Sequence, residues 1–412
     1  MPQGRRLRGH VVAAFFIAVW AAALTLVSLT VLSGADLYFF SYYSIDYTLG
    51  FVRRGLGGAL LGLFPDGSYF EGLRVLRWAS TVAYSLGLAA IMWTVWTYFG
   101  SSQRRRMLAL LLPVLPFGYL FAVFSARPDL FGAATFALLA VTLTRSRSSR
   151  FTLISCAAYG LATAGLALIH EAIPVEFALG AVLAIATLPR TPAAGGKRLG
   201  MLLAVVPGLV STAVVALASR RGVADQLCAA IPERRIENPY ALRQTTDGLA
   251  DYLTGRDRPY TEYHGWMCRN ILPLWDWSPG QAVRYVFGLG VWQLVASAIF
   301  GMVVVAAVLA LLRYVSNVPL AEFLAALRGS SLTALAALAL AVPVFLTAYD
   351  WTRWLMVIGF DICTVYLLFA GARPEAEQPA DRRTVAVCVG AGVFFAVIPV
   401  GIVAGFAASP PI

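Results

Sequence analysis

Apolar residues fill most of this chain in blocks of roughly 20, the length at which a helix crosses a hydrocarbon core of about 30 Å. Read by that rule, the blocks predict spans over about 11–33, 74–99, 107–125, 129–144, 151–169, 173–189, 199–218, 284–312, 331–348, 354–371 and 384–407. The fold class that follows is an all-α polytopic membrane protein of about eleven transmembrane helices, forming a single transmembrane domain over residues 1–412. No internal repeat is visible. Two polar stretches break the pattern. In 34–73 the glycine-rich GLGGALLGLF reads as a short interfacial helix, and 219–281 is long enough to have structure of its own. Within the second, NPYALRQTTDGLADYLTG has helical periodicity, and HGWMCRNILPLWDW is rich in tryptophan and suits a membrane surface. A further segment, VPLAEFLAALRG, reads as a surface helix on the other side.

A mean hydropathy of +0.74, with 59% apolar and 13% charged residues, excludes a soluble domain. The net charge of +11 does not imply nucleic acid, because the arginines sit in short turns between apolar blocks, where they set membrane orientation. The block from Val11 to Leu32 is too long for a signal-peptide core and lacks a small-residue cleavage site, so it is expected to stay as the first span. SSQRRR, RSRSSR, PRTPAAGGKR and RPEAEQPADRR then mark the cytoplasmic side. The expected location is a bacterial inner (plasma) membrane, with a cytoplasmic N-terminus and the active face extracytoplasmic. Cys156, Cys363 and Cys388 fall inside spans, whereas Cys228 and Cys268 share the long loop and are candidates for a disulfide if it lies outside the cytoplasm.

With that alternation, four separated turns reach the outer side: DYTLGFVRRG, ARPD, HEA and YDWTRW. They bring Asp46, Arg53, Arg54, Arg127, Asp129, His170, Glu171, Asp350 and Arg353, with Asp36 just after the first span. Partnered acids and arginines at four span ends on one side predict a shared polar cavity. Each group also has a structural explanation. Arg53 and Arg54 can anchor at headgroups, Asp46 can cap the short helix, Asp129 can sit on a helix N-terminus, and Asp350 can pair with Arg353 at i,i+3. His170 and Glu171 resist such a reading, since no loop solvates them. HEAIP is not the HExxH of a zinc protease, and no Walker loop, serine–histidine–acid pattern or CxxC occurs. Glu176 and Asp361, inside spans, keep an ion or proton pathway open.

A lipid-embedded bundle with such a pocket suits a substrate that is half lipid and half water-soluble, such as a polyprenyl-phosphate sugar. Sugar transfer needs a carboxylate as general base toward the acceptor hydroxyl, and cations on the departing phosphate, a task for which the guanidinium fork is suited. On SYYSIDY, GFVRRG and the layout around them, the chain resembles the GT-C superfamily of integral-membrane glycosyltransferases, which carry an aspartate in the first extracytoplasmic loop. The resemblance implies Asp46 as base, with Asp36 the alternative; Arg53, Arg54 and Arg127 at the donor phosphate; and Asp129, His170, Glu171, His264, Asp350 and Arg353 around the substrate. It implies a polyprenyl-phosphate sugar donor, a glycan or glycolipid acceptor and surrounding membrane lipids as partners. No nucleotide cofactor or protein metal ligand is expected, and a divalent cation stays open. The chain departs from the family in having no paired acidic signature and no large soluble C-terminal domain. Two rivals use the same residues differently: an envelope polysaccharide polymerase or ligase acting on lipid-pyrophosphate-linked glycans, and a transporter or lipid flippase with inverted halves and interrupted helices.

Overall fold

The computed structural model describes residues 19, 37–65, 67–100, 102–189, 194–238, 251 and 254–398. The predicted first span, Asp36, most of the 238–255 helix and the end of the last span therefore lie outside the described residues. The chain is mostly helical, as the apolar blocks require. Among the described residues five helices are long and apolar enough to cross a membrane: Tyr69–Tyr98, Gln103–Val123, Gly195–Ala218, Val291–Ser316 and Trp351–Gly371. Leu320–Ala326 and Ser331–Thr347 form a sixth if they are taken together across a 96° bend. Asp129–Arg145 and Ser149–Ala167, with 17 and 19 residues, pack into the same bundle.

Several predicted spans are broken. The third is interrupted after Leu111 by a 3-10 turn holding Pro113, and restarts at Tyr119. The sixth divides into Ile173–Glu176 and Ala178–Thr187. The block expected at 284–312 is two helices, Pro279–Gly288 and Val291–Ser316, because Gly290 turns the chain with φ 116°. The expected surface helix and the ninth span are joined through Gly329 at φ 83°, which produces the bend. The chain is also not wholly α-helical. Arg235–Glu237 and Tyr260–Glu262 pair as a two-stranded antiparallel ribbon in the long loop, with Ile236 opposite Thr261.

Helices in lipid gain little from burying apolar surface against one another, so close packing through small residues holds them together. A Cβ on Gly160 would stand 2.0 Å from the Leu203 carbonyl, so Ser149–Ala167 lies directly on the Ala194–Ala218 helix. Gly87 brings Tyr69–Trp93 against Ala134 and Ala137, and Gly301 and Gly359 seat the Val291–Ser316 and Trp351–Gly371 helices together. Trp351–Gly371 is the central element, buried along nearly its whole length. Helices on the outside of the bundle expose apolar side chains, as at Leu202, Val210, Leu217, Met302 and Val303.

Candidate functional site

The central helix has two charged ends, about 30 Å apart at 1.5 Å per residue. Arg353 stands at its start, and the Arg105 guanidinium takes the Gly371 carbonyl at its finish (2.8 Å). The start is where the acids gather.

The first turn delivers Arg53 and Arg54 through a tight backbone contact. The Gly55–Leu61 helix lies so close to residues 42–46 that a Cβ on Gly58 would fall 2.1 Å from the Ile45 carbonyl, which instead accepts the Gly58 N–H at 2.9 Å. Arg54 precedes that helix in the left-handed region (φ 61°, ψ 14°). Among the described residues only Asn317 shares this conformation without being glycine. Its guanidinium lies over Tyr42 (4.9 Å) and Trp275 (5.9 Å), and its Nε and Nη2 each donate to Glu171 at 3.2 Å. Arg53 donates to the same carboxylate.

From Glu171 the network passes without a gap to the other turns. His170 stands 3.7 Å from Glu171 through Nδ1 and 3.7 Å from Asp129 through Nε2. Asp129 is paired with Arg353, whose Nε donates to Asp350 (3.1 Å), and Asp350 lies 3.6 Å from Arg127. The four turns singled out in the sequence thus meet. Among the described residues four guanidiniums face three carboxylates, which together carry one positive charge when His170 is neutral. Polar atoms are left over: Arg127 Nε, Arg353 Nη2 and Asp129 Oδ1 are buried without a hydrogen bond among the described residues. Unsatisfied buried donors and acceptors are rare and call for an explanation such as a missing ligand.

Electrostatics fixes the protonation of the turn at 168–172. Burial pushes the Glu171 carboxyl up, but Arg53 and Arg54 overcome this and hold it well below the usual carboxylate range. Burial, seconded by Arg54, lowers His170 below its ordinary 6.5 against the pull of Glu171 and Asp129. His170 Nδ1 lies between the Ala172 N–H (3.5 Å) and Glu171 Oε2 (3.7 Å), so a proton on Nδ1 faces the Glu171 carboxylate and one on Nε2 faces Asp129. Arg127, stacked on Tyr38 at 5.0 Å, stays protonated: burial lowers its pKa, but the phenols Tyr42 and Tyr38, with Asp350 and Asp129, raise it further.

Two expected members stand apart. Asp46 was expected beside Arg53 and Arg54, but its Oδ1 accepts the Thr48 N–H (2.9 Å) and hydroxyl (2.6 Å), and no ion pair joins it to the cluster among the described residues. The reason is local: an aspartate two residues before a threonine closes its own turn. His264 belongs to a cap formed by the long loop, with Nδ1 2.7 Å from the Ile231 carbonyl and Nε2 3.7 Å from Cys228 Sγ. Cys228 and Cys268 are disulfide-bonded and link the Ala224–Ala229 and Tyr263–Asn270 helices. That cap touches the cluster end through Trp275 and through Tyr263, whose hydroxyl lies 2.6 Å from Ser44 Oγ. Tyr38, Tyr42 and Trp275 line the cluster without having been marked as site residues by the sequence. The i,i+4 spacing of the two tyrosines is the one sequence sign that they share a face. Glu176 is buried next to the break at Phe177, both oxygens without a hydrogen bond among the described residues, and a small cavity reaches Asp129 and Phe177 among apolar walls.

The sequence profile of the family described as "Uncharacterised membrane protein Rv1490" matches residues 10–396. The chain is similar to "Uncharacterized protein Rv1490" of Mycobacterium tuberculosis, at 40% identity over 397 residues, covering 96% of this chain and 91% of the relative. It has the same identity and coverage with "Uncharacterized protein Mb1527" of Mycobacterium bovis. No solved structure matches the chain.

Proposed function

The chain belongs to the Rv1490 family of membrane proteins, and we propose that within it the protein is a GT-C-type glycosyltransferase moving a sugar from a polyprenyl phosphate to an envelope glycan or glycolipid. One observation carries the reading. Arg53, Arg54, Arg127 and Arg353 converge at one end of a lipid-embedded bundle, beside aromatic faces and, among the described residues, with fewer acids than guanidiniums. Such a centre attracts a phosphate whose tail remains in lipid.

In this reading the chain has about eleven spans and the cluster faces away from the cytoplasm. The disulfide in the cap beside the cluster supports that orientation, because disulfides persist in oxidising compartments. So do Arg104, Arg105 and Arg145 at the opposite end. Arg53, Arg54 and Arg127 hold the donor phosphate. The acceptor oxygen bonds to the anomeric carbon as the sugar–phosphate bond breaks, the lipid phosphate leaves with the electron pair, and a carboxylate takes the hydroxyl proton. Asp129, Glu171 and Asp350 are committed to arginines, which makes them poor bases. Asp46, held among the described residues by Thr48 alone, keeps a lone pair for the task.

The test is transfer from radiolabelled polyprenyl-phosphate sugars in membranes carrying wild type or Asp46→Asn. Asparagine preserves the turn, so turnover is expected to fall about 10²–10⁴-fold with donor binding retained. Unchanged turnover in Asp46→Asn and Asp36→Asn, or no transfer from any donor, refutes the reading. Glu176 and Asp361, buried within helices of the bundle, favour one second reading, a transporter or flippase. Movement of lipid-linked sugar across vesicles without any new glycosidic bond would identify it.

A further inference from the structure

Glu171 occupies the place a phosphate needs. Its two oxygens accept from Arg53 Nη2 and from both Nε and Nη2 of Arg54, the forked edge that guanidinium offers to carboxylate and phosphate alike. We propose that Glu171 is an internal stand-in for the substrate's phosphate: it holds the Arg53–Arg54 pair in place while the site is empty and swings toward His170 when an isoprenoid phosphate binds. The inference rests on the reading of this cluster as a donor-phosphate site.

Three features of the geometry lead there. Arg54 adopts a left-handed backbone although it makes no side-chain cap to the helix it precedes, so helix capping does not account for the conformation. Strain of this kind persists where the surrounding structure imposes it, and it concentrates at ligand sites. Secondly, Tyr42 and Trp275 cover the guanidinium, which leaves its edges for an anion, and Glu171 fills the Nε–Nη2 edge. A phosphate added beside the carboxylate would bring two anions into contact, whereas an exchange keeps the charge balanced. Finally, the side chain has somewhere to go. His170 Nδ1 is 3.7 Å from Oε2, and the Glu171 carbonyl is pinned by the Thr212 hydroxyl at 2.9 Å, so the carboxylate can move while the backbone stays.

The experiment measures binding of farnesyl phosphate to the full-length protein in detergent, as wild type, Glu171→Gln and Glu171→Asp, with farnesol, inorganic phosphate and farnesyl pyrophosphate alongside. Loss of a charge-assisted competitor predicts binding at least about tenfold tighter in Glu171→Gln than in wild type, together with a lower melting temperature of the unliganded protein. Glu171→Asp, with a shorter reach to the arginines, is expected in between. Equal or weaker binding in Glu171→Gln overturns the inference and makes Glu171 part of the site's scaffold. Should that variant not fold, equal or weaker binding in Glu171→Asp does the same. Tightening seen with inorganic phosphate alone keeps the exchange and removes the lipid-linked donor, tightening with the pyrophosphate alone keeps it and favours the polymerase or ligase, and no binding of any anion removes both proposals.

Discussion

Both ends of the central helix are rich in arginine, and the two ends use it in opposite ways. At the finish, Arg105 donates to the Gly371 and Arg373 carbonyls, and Arg104 to those of Val315, Tyr314 and Gln378. The Gly371, Tyr314 and Val315 carbonyls lie in the last turns of the two long helices, where orphan acceptors gather and a cation also complements the helix dipole. At the start, Arg53, Arg54, Arg127 and Arg353 turn to carboxylates from other turns, and two of them keep buried donors unused. An arginine whose donors end on its own chain's carbonyls has a structural task. One balanced against acids, with donors to spare, is available to a ligand.

The largest test of this contrast compares Arg353→Leu with Arg105→Leu by thermal unfolding in detergent. Removing Arg353 strands the buried carboxylate of Asp129 and is expected to cost about 3–5 kcal/mol, while replacing both by leucine recovers most of the loss. Removing Arg105 leaves carbonyls short of a donor, expected at about 1–3 kcal/mol, with transfer per folded molecule unchanged. Equal losses, with no recovery in the double variant, would erase the distinction between the ends.

Acidity gives a smaller and more selective probe. His170 is neutral in the folded protein and has its pKa lowered chiefly by burial, so the unfolded chain binds more protons just below 6.5. Stability is therefore full above 6.5 and falls as pH drops toward the lower folded value, by no more than about 1.4 kcal/mol per pH unit. Glu171, depressed by Arg53 and Arg54, adds a loss of the same sign at more acid pH, below the ordinary carboxylate value of 4.5. Melting curves from pH 7 to 5 should slope in wild type and flatten in His170→Gln. An unchanged slope would show that the imidazole is already charged in the native cluster.

The sequence made the cluster legible because a charge at the end of an apolar block has few places to go. VRRG, ARPD, HEA and DWTR were marked by that alone, and the four turns do meet. What pairs with what was not legible. Asp46 is near Arg53 and Arg54 in sequence, yet a threonine two residues on captures it, while Glu171 arrives from more than a hundred residues away. Hydropathy also missed the breaks at Phe177 and Gly290, since a broken helix and a continuous one bury similar apolar residues. The part of Trp275 depended on a disulfide-linked cap folding back onto Arg54, which periodicity does not encode.

The smallest effect is the sharpest control. Arg105 also reaches Glu377 at 3.1 Å, but Glu377 is 63% exposed, whereas Glu171 is 17% exposed. Water and salt screen the first pair, so Glu377→Gln is expected to change stability by less than about 1 kcal/mol and to leave farnesyl phosphate binding as in wild type. The same chemical change at position 171 is expected to lower stability and tighten binding. If Glu377→Gln tightens binding as well, the lipid phosphate is responding to overall charge, and the Arg53–Arg54 edge loses its claim to be the site.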